Sequence, residues 1–468
     1  MLPVFAIVGR PNVGKSSLFN CLTRSRDALV SDFPGLTRDR QYGRGVVGDR
    51  PFVIVDTGGL SGVAEGIDAL MAKQVQAAIA ESDVLIFVLD GREGVNVADI
   101  EIAQQLRQLR KPVLIVVNKT DGLNDEVAMA DFYSLGFAHL LSISATNNQG
   151  IGSLVDEAFA LLPEQNPEEA QDEQDEPGRI KVAVIGRPNV GKSTLINRML
   201  GEERLVTYDL PGTTRDSIFI PFERDGQRYT LIDTAGVRRR GKVTDMIEKF
   251  SVIKSLKSIE ACHLVVLVLT AQEEIAEQDK TILSYVLNSG KGLVIAVNKW
   301  DGLEADQRDE IRRQLDRKLS FLDFADRHFI SALHGTGVGL LFKSIREAYK
   351  SAMIELNTSQ LTALLETAVE AHQPPLVHGR RIKLRFAHPG GNNPPLIVIH
   401  GNQTESVPES YRRYLVNYFR EALHLRGTSV QLIFKTGDNP FKGRKNELTQ
   451  HQANQRKRMM RHVKDSRK

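Results

Sequence analysis

Short runs of uninterrupted apolar residues recur along this chain. They are separated by longer stretches in which apolar residues return at helical spacing. Val4-Phe5-Ala6-Ile7-Val8, Val53-Ile54-Val55, Val84-Leu85-Ile86-Phe87-Val88 and Val113-Leu114-Ile115-Val116-Val117 make one series. Val182-Ala183-Val184-Ile185, Leu264-Val265-Val266-Leu267-Val268 and Leu293-Val294-Ile295-Ala296-Val297 make a second. β-Branched runs of this length, without alternation, predict strands buried on both faces of a parallel sheet. Strands alternating with helical patterns predict α/β units with helices on both faces.

The two series are copies of each other. GRPNVGKS occurs at Gly9–Ser16 and again, unchanged, at Gly186–Ser193, 177 residues later. Each copy fits G-x-x-x-x-G-K-[ST], the loop whose backbone N–H groups wrap phosphates while its Lys reaches the outer ones. Each follows a predicted strand, and amphipathic helices are expected to begin at Ser17-Leu18-Phe19-Asn20 and Thr194-Leu195-Ile196-Asn197. The phosphates then lie at a helix N-terminus, where free amides and the dipole favour anions. An identical octet at domain spacing predicts a duplicated nucleotide-binding module.

Other short elements repeat behind each loop. Thr37 in PGLTRD and Thr214 in PGTTRD are again 177 residues apart and are candidates to give a hydroxyl to Mg²⁺. Asp56-Thr57-Gly58-Gly59 and Asp233-Thr234-Ala235-Gly236 each follow an apolar strand. The Asp is placed to hold Mg²⁺, and the last Gly admits a backbone N–H to the γ-phosphate. Asn118-Lys119-Thr120-Asp121 and Asn298-Lys299-Trp300-Asp301 end two further strands. A carboxylate there accepts from N1–H and the exocyclic amine of guanine. Adenine lacks that donor pair, so ATP is rejected. Ser144-Ala145 and Ser331-Ala332 are candidates to support guanine O6 through backbone N–H groups. The predicted nucleotide site therefore comprises Gly9, Arg10, Pro11, Asn12, Val13, Gly14, Lys15 and Ser16 with these later motifs. Its second copy comprises Gly186, Arg187, Pro188, Asn189, Val190, Gly191, Lys192 and Ser193. Ser16, Thr37, Asp56, Ser193, Thr214 and Asp233 are the Mg²⁺ candidates; Lys15, Thr37, Lys192 and Thr214 are the catalytic ones.

At 468 residues the chain has room for about three domains. Residues 1–162 and 179–350 are read as the two modules. Between them, residues 163–178 hold seven acidic residues, three prolines and no cation, and are expected to form an extended linker. Residues 351–440 carry no further phosphate loop. They read as a small α+β domain: helix 358–371, strand 381–387, strand 396–400, helix 408–425 and strand 429–434. Residues 441–468 lack a sustained apolar face. Residues 442–468 contain ten Lys/Arg against two Asp/Glu, although the whole chain is only +3. A basic tail on a mildly acidic body predicts a polyanionic partner. Two cysteines, Cys21 and Cys262, fit no metal spacing and suit a reducing compartment. No apolar run reaches the roughly 20 residues of a membrane span. The expectation is a cytoplasmic monomer that binds neither membrane nor DNA.

The motifs in this order resemble those of the translation-factor-related GTPases. Two such modules followed by a small α+β domain and a basic tail are similar to a bacterial family of tandem-domain GTPases that assemble the large ribosomal subunit. The resemblance covers essentially the whole chain. It implies GTP hydrolysis, Mg²⁺, rRNA of the 50S subunit or its precursor as partner, and a KH-like third domain. That domain has no G-x-x-G clamp. Its Gly-rich turns are Pro389-Gly390-Gly391-Asn392 and Gly401-Asn402-Gln403, so docking on the second module is expected in place of direct RNA reading. Leu60 and Val237 stand where Ras-like enzymes carry a water-orienting Gln. The resemblance implies that K⁺, held partly by Asn12 and Asn189, supplies the missing charge and that turnover is slow. The alternative is a nucleotide-gated rRNA scaffold whose hydrolysis is incidental.

Overall fold

The computed structural model describes residues 2–23, 42–47, 50–57, 78–162, 178–201, 218–233, 252–377 and 380–436. Thr37, Gly58, Gly59, Leu60, Thr214, Thr234, Ala235, Gly236 and Val237 lie outside the described residues, as do nearly all of the acidic linker and the basic tail.

The apolar runs form two six-stranded sheets. The first contains β1 (Val4–Val8), β2 (Tyr42–Val47), β3 (Arg50–Asp56), β4 (Val84–Asp90), β5 (Val113–Asn118) and β6 (His139–Ser142). The second contains β7 (Ile180–Ile185), β8 (Ile218–Arg224), β9 (Gln227–Asp233), β10 (Leu264–Thr270), β11 (Gly292–Asn298) and β12 (Asp326–Phe329). Their orders are β2-β3-β1-β4-β5-β6 and β12-β11-β10-β7-β9-β8, one arrangement read from opposite ends. All neighbours are parallel except the edge pairs β2–β3 and β8–β9. These edge strands were not among the expected runs. β2, YGRGVV, is broken by Gly and Arg, and β8, IFIPFER, by Pro221 and a charged end, both tolerated on an edge strand.

Burial on both faces explains the lack of alternation. Phe5 and Ile7 pack with Leu18 and Leu22 of the helix Lys15–Thr23, while Val4, Ala6 and Val8 face the opposite layer. In each sheet the chain leaves the first strand toward one side and later returns on the other. The crevice at that strand's C-terminal end is where α/β sheets bind ligands. The helices behind the octets start at Lys15 and Lys192, two residues before the expected Ser17 and Thr194. The cause is Gly14 and Gly191, whose φ of +98° and +97° turn the chain sharply enough to begin the helix at the Lys.

The third unit has the expected helix Thr358–Ala371, capped by Asn357, whose side chain accepts from Gln360 N at 2.7 Å. After the short pair β13 (Leu376–Val377) and β14 (Arg380–Arg381) come β15 (Lys383–Gly391), β16 (Leu396–Asn402) and β17 (Gln431–Thr436), side by side in that order. β15 extends past the expected Ala387 because its Pro389 lies beside a bulge on an edge strand, where a missing N–H is tolerated. The second helix is Glu409–Ala422, shorter than the expected 408–425; Pro408 is its extended N-cap residue.

This unit docks on the second sheet's domain. Arg420 donates to both carboxylate oxygens of Asp323, at 2.7 and 2.5 Å. Gly427 N donates to Phe324 O and Gly427 O accepts from Leu293 N, both at 2.7 Å. A Cβ at Gly427 would lie 2.4 Å from Ala348 Cβ, so only glycine permits this approach. The two larger domains also touch: Arg44 Nε is 3.2 Å from Glu260 Oε1 and Lys257 Nζ is 3.6 Å from Asp83 Oδ2. Among the described residues no helix is long and apolar enough to cross a membrane.

Candidate nucleotide sites

Each octet loops from the end of a central strand into a helix, and each is braced from below. Gly14 and Gly191 have no room for a side chain: a Cβ would lie 2.2 Å from the Nδ2 of Asn118 or Asn298. Those two Asn side chains are the braces. Asn118 Nδ2 donates to Val13 O at 2.9 Å, and its Oδ1 accepts from Ala145 N at 3.0 Å. Asn298 does the same with Val190 O at 2.8 Å and Ala332 N at 2.9 Å. The Asn of each N-K-x-D motif thus ties the phosphate loop to the Ser-Ala loop. The motif reading missed this bracing role because it joins residues over a hundred positions apart.

Lys15 and Lys192 are almost wholly buried and curl back over their own loops. Lys15 Nζ donates to Gly9 O at 2.8 Å and Arg10 O at 2.7 Å; Lys192 Nζ donates to Arg187 O at 2.7 Å. Burial pushes the Lys15 pKa down, Asp56 opposes that shift, and Arg10 adds to it. The ammonium is held where phosphate oxygens can bind it. Arg10 and Arg187 point elsewhere. Arg10 pairs with Glu93 and Asp99, and Arg187 with Glu273 and Asp279. Their guanidinium groups therefore fix the loop from outside, and it is their carbonyls that face the lysines. Asn12 and Asn189 are exposed at the loop crest with φ of +68° and +63°.

Ser16 Oγ donates to Asp56 Oδ2 at 3.0 Å, and Asp56 is fully buried at the end of β3. A hydroxyl and a carboxylate oxygen converging beside the loop are hard oxygen donors of the type Mg²⁺ takes, so these residues fit that ion. Thr57 anchors the same corner by donating from Oγ1 to Ile7 O at 2.6 Å. Ser193 is the second residue of the matching helix, whereas the Asp233 side chain lies outside the described atoms.

The base-side motifs differ between the two domains. Lys119 has φ of +67° and its Nζ reaches both Asn12 O, at 2.9 Å, and Asp90 Oδ2, at 2.6 Å. Burial would raise the Asp90 pKa, but hydrogen bonds from Lys119 and the backbone hold it below its ordinary value. Asp90 lies opposite Asn118 in the ladder. Thr270 holds the same place opposite Asn298, so Lys299 has no such acid beneath it. Asp121 is gripped by Arg92 Nη2 at 2.6 Å and accepts from Ser144 Oγ at 3.2 Å. Asp301 instead faces His334 Nε2 at 3.2 Å. Backbone and Ser331 hydrogen bonds, followed by His334 and Arg308, lower its pKa. Thr120 is buried and bonded to Ile143 O at 3.0 Å, while its counterpart Trp300 packs against Phe329 with ring centres 4.2 Å apart and planes tilted by 35°. Asp90, Arg92 and His334 were not expected. Only Asp90, a lone acid closing an apolar run, left a trace in the sequence.

The chain's similarities agree with this geometry. Residues 4–119 and 181–299 match the family model described as 50S ribosome-binding GTPase. Residues 355–435 match one described as KH-domain-like of EngA bacterial GTPase enzymes, C-terminal. The chain is 63% identical over 464 residues to the GTPase Der of Thioalkalivibrio sulfidiphilus, covering 99% of this chain and 100% of that protein. It is 54% identical over 464 residues to the GTPase Der of Hahella chejuensis, covering 99% and 98%. It is 54% identical over 493 residues to the GTPase Der of Klebsiella pneumoniae, covering 100% of both.

Proposed function

This chain belongs to the GTPase Der family, and we propose on that footing that its GTP–GDP cycle gates attachment to the large ribosomal subunit during assembly. The observation that carries this reading is the pair of matched braces. Asn118 and Asn298 each hold a phosphate loop and a Ser-Ala loop in one geometry, on two separate sheets. Two sites kept to the same architecture suit a device that needs both nucleotides.

In this reading Lys15 and Lys192 leave their loop carbonyls for the β- and γ-phosphates. Ser16, Thr37 and Asp56, with Ser193, Thr214 and Asp233, hold Mg²⁺, which neutralises charge building on the phosphates. Gly59 and Gly236 offer backbone N–H groups to the γ-phosphate. Asp121 and Asp301 read guanine, supported by the amides of Ala145 and Ala332. Leu60 and Val237 cannot orient water, so positioning and charge supply the catalysis. K⁺ beside Asn12 and Asn189 is the proposed source of that charge, and turnover is accordingly slow. The exposed amides at the loop crests fit a monovalent cation that prefers neutral oxygens.

The ribosomal partner is supported by the 50S-binding description of the matched family and by the basic tail. Leu60 and Val237 favour one second reading, a scaffold in which nucleotide binding alone does the gating. The test measures GTP turnover with and without large-subunit particles, together with co-sedimentation under GTP, a non-hydrolysable analogue and GDP. Particle-stimulated turnover with GTP-selective attachment is expected. Attachment that ignores the nucleotide would overturn the proposal, and analogue-selective attachment without stimulated turnover would favour the scaffold.

A further inference from the structure

The third domain presents an aromatic platform on the face of its sheet turned away from its core. Ala387, Ile397, Ile399 and Leu432 fill the core side. Alternation along the strands sends Phe386, His388 and His400 to the other side. The rings of Phe386 and His400 are nearly parallel, 6° apart, with centres 4.5 Å apart. The His388 ring continues the row, 5.2 Å from His400, and the two Nε2 atoms are 3.1 Å apart. Phe386 remains 41% exposed. It follows a bulge after Leu384 on an edge strand, a device that re-aims a side chain. With one face against His400 and so much of it still exposed, the ring gains little from burial.

The surroundings are cationic. Lys383 and Arg385 flank Phe386 on β15, and Lys435 lies opposite His400 in the ladder. All three are exposed, and none forms an ion pair with a described residue. Burial, with His388 and Lys435 nearby, lowers the His400 pKa, which favours the neutral His400 ring against Phe386. Flat rings rimmed by cations match the faces and phosphates of unpaired nucleotides. Every base has a π-face, so such stacking tolerates sequence. A duplex keeps its bases stacked on each other and offers none.

We infer that Phe386 and His400 form a stacking platform for one or two bases of single-stranded RNA, with Lys383, Arg385 and Lys435 taking the flanking phosphates. The site is separate from the turns where a G-x-x-G clamp would sit. It deepens, and rests on, the proposal of an RNA partner.

The test is fluorescence anisotropy of the full chain with a labelled uridine-rich oligonucleotide across a salt series. Phe386→Leu keeps an apolar side chain but removes the ring, and Phe386→Tyr keeps the ring. The Leu variant is expected to bind about 5- to 100-fold more weakly, as loss of a stacked base predicts. Its dependence of log K on log salt stays as in the parent, since no cation is lost. The Tyr variant binds as the parent does. Lys435→Gln lowers the salt slope by about 0.7. Equal binding by the Leu variant and the parent overturns the inference, as does an equal loss of duplex RNA binding in the Leu variant. If the Leu variant loses ribosomal-particle attachment but keeps oligonucleotide affinity, the face holds a protein and the inference also fails. Nucleotide-blind particle attachment with the oligonucleotide results as expected would sink the switch proposal and leave the platform standing.

Discussion

Arg92 Nη2 lies 2.6 Å from Asp121 Oδ2, so the carboxylate proposed to read the base in the first domain is held by a guanidinium. Ser144 takes the other oxygen at 3.2 Å. The second domain's Asp301 faces a His at 3.2 Å and accepts from Ser331 and the backbone, with no such guanidinium contact. The two sites therefore share a motif but not its electrostatic setting. The Arg92 pair is largely solvent-exposed and contributes at most about 1 kcal/mol. Guanine can displace or share it, but with a different cost in each domain.

Guanine selectivity should collapse separately in the two domains. Asp121→Asn or Asp301→Asn replaces an acceptor with a donor at the base edge. GTP affinity of the altered domain is expected to fall on the order of 100-fold, while xanthine-nucleotide affinity rises. Titration calorimetry resolving the two sites would measure it; unchanged GTP binding by the Asp301→Asn second site would refute the assignment.

The depressed Asp301 pKa gives a pH prediction. Its ionised, accepting form persists above the folded-state pKa, which lies below the ordinary carboxylate value. It is lost only as pH falls through that lowered value. Guanine affinity at the second site should therefore stay level from about pH 8 to pH 5. A fall centred between pH 5 and 6 would show that a group other than Asp301 governs the site.

Bracing can be tested by coupling. Asn298→Ala strands Val190 O and Ala332 N, each costing about 1–3 kcal/mol if left unpaired. Gly191→Ala strains a φ of +97° and drives a Cβ to 2.2 Å from Asn298 Nδ2. Both should lower second-site nucleotide affinity and leave the first site intact. The double variant should lose less than the sum, because removing the Asn amide removes the clash. Strict additivity in a double-mutant cycle would show that the two residues act apart.

These couplings show where reading the sequence stopped. Val84 to Val88 and Leu264 to Val268 were legible as strands because burial on both faces leaves no polar position. The octets were legible because phosphate binding needs contiguous backbone. The role of Asn118 was not, since its partners Val13 and Ala145 lie 105 and 27 positions away. Nor was the exchange of Asp90 for Thr270, which matters only because the ladder sets them beside Asn118 and Asn298. The β2 edge carries no continuous apolar run, and Pro221 interrupts the one in β8, as an edge strand tolerates. Lys15 fell outside the expected helix because its long polar side chain hides the helical start that Gly14 imposes.

Hydrolysis should follow the monovalent cation more than any residue after D-x-x-G. The motivation is Leu60 and Val237 together with the exposed Asn12 and Asn189. Exchanging K⁺ for Na⁺ is expected to slow turnover at least tenfold, or about 1.4 kcal/mol of barrier. Asn189→Ala should reproduce the loss in the second domain, and Val237→Gln should not restore it. Equal rates in both salts would point to another source of transition-state charge.

The basic tail should supply salt-dependent, sequence-blind attachment to rRNA. Lys442, Arg444, Lys445, Arg456, Lys457, Arg458, Arg461, Lys464, Arg467 and Lys468 are ten cations in 27 residues. Each phosphate they neutralise releases counterions, steepening the fall of affinity with salt by about 0.7 to 0.9 in log–log slope. Selection of the particle must then come from the three folded domains. Stopping the chain after Phe441 is therefore expected to weaken particle binding and flatten its salt dependence by several units. GTP affinity should be unchanged, because every phosphate-loop and base contact lies before residue 335. The GTP preference of attachment should also survive, since the Thr37 and Thr214 switches remain. Co-sedimentation across a salt series with GTP and with GDP separates these effects. Full-strength binding by the shortened chain at every salt would make the tail a bystander. A lost GTP preference would instead place the tail within the switch.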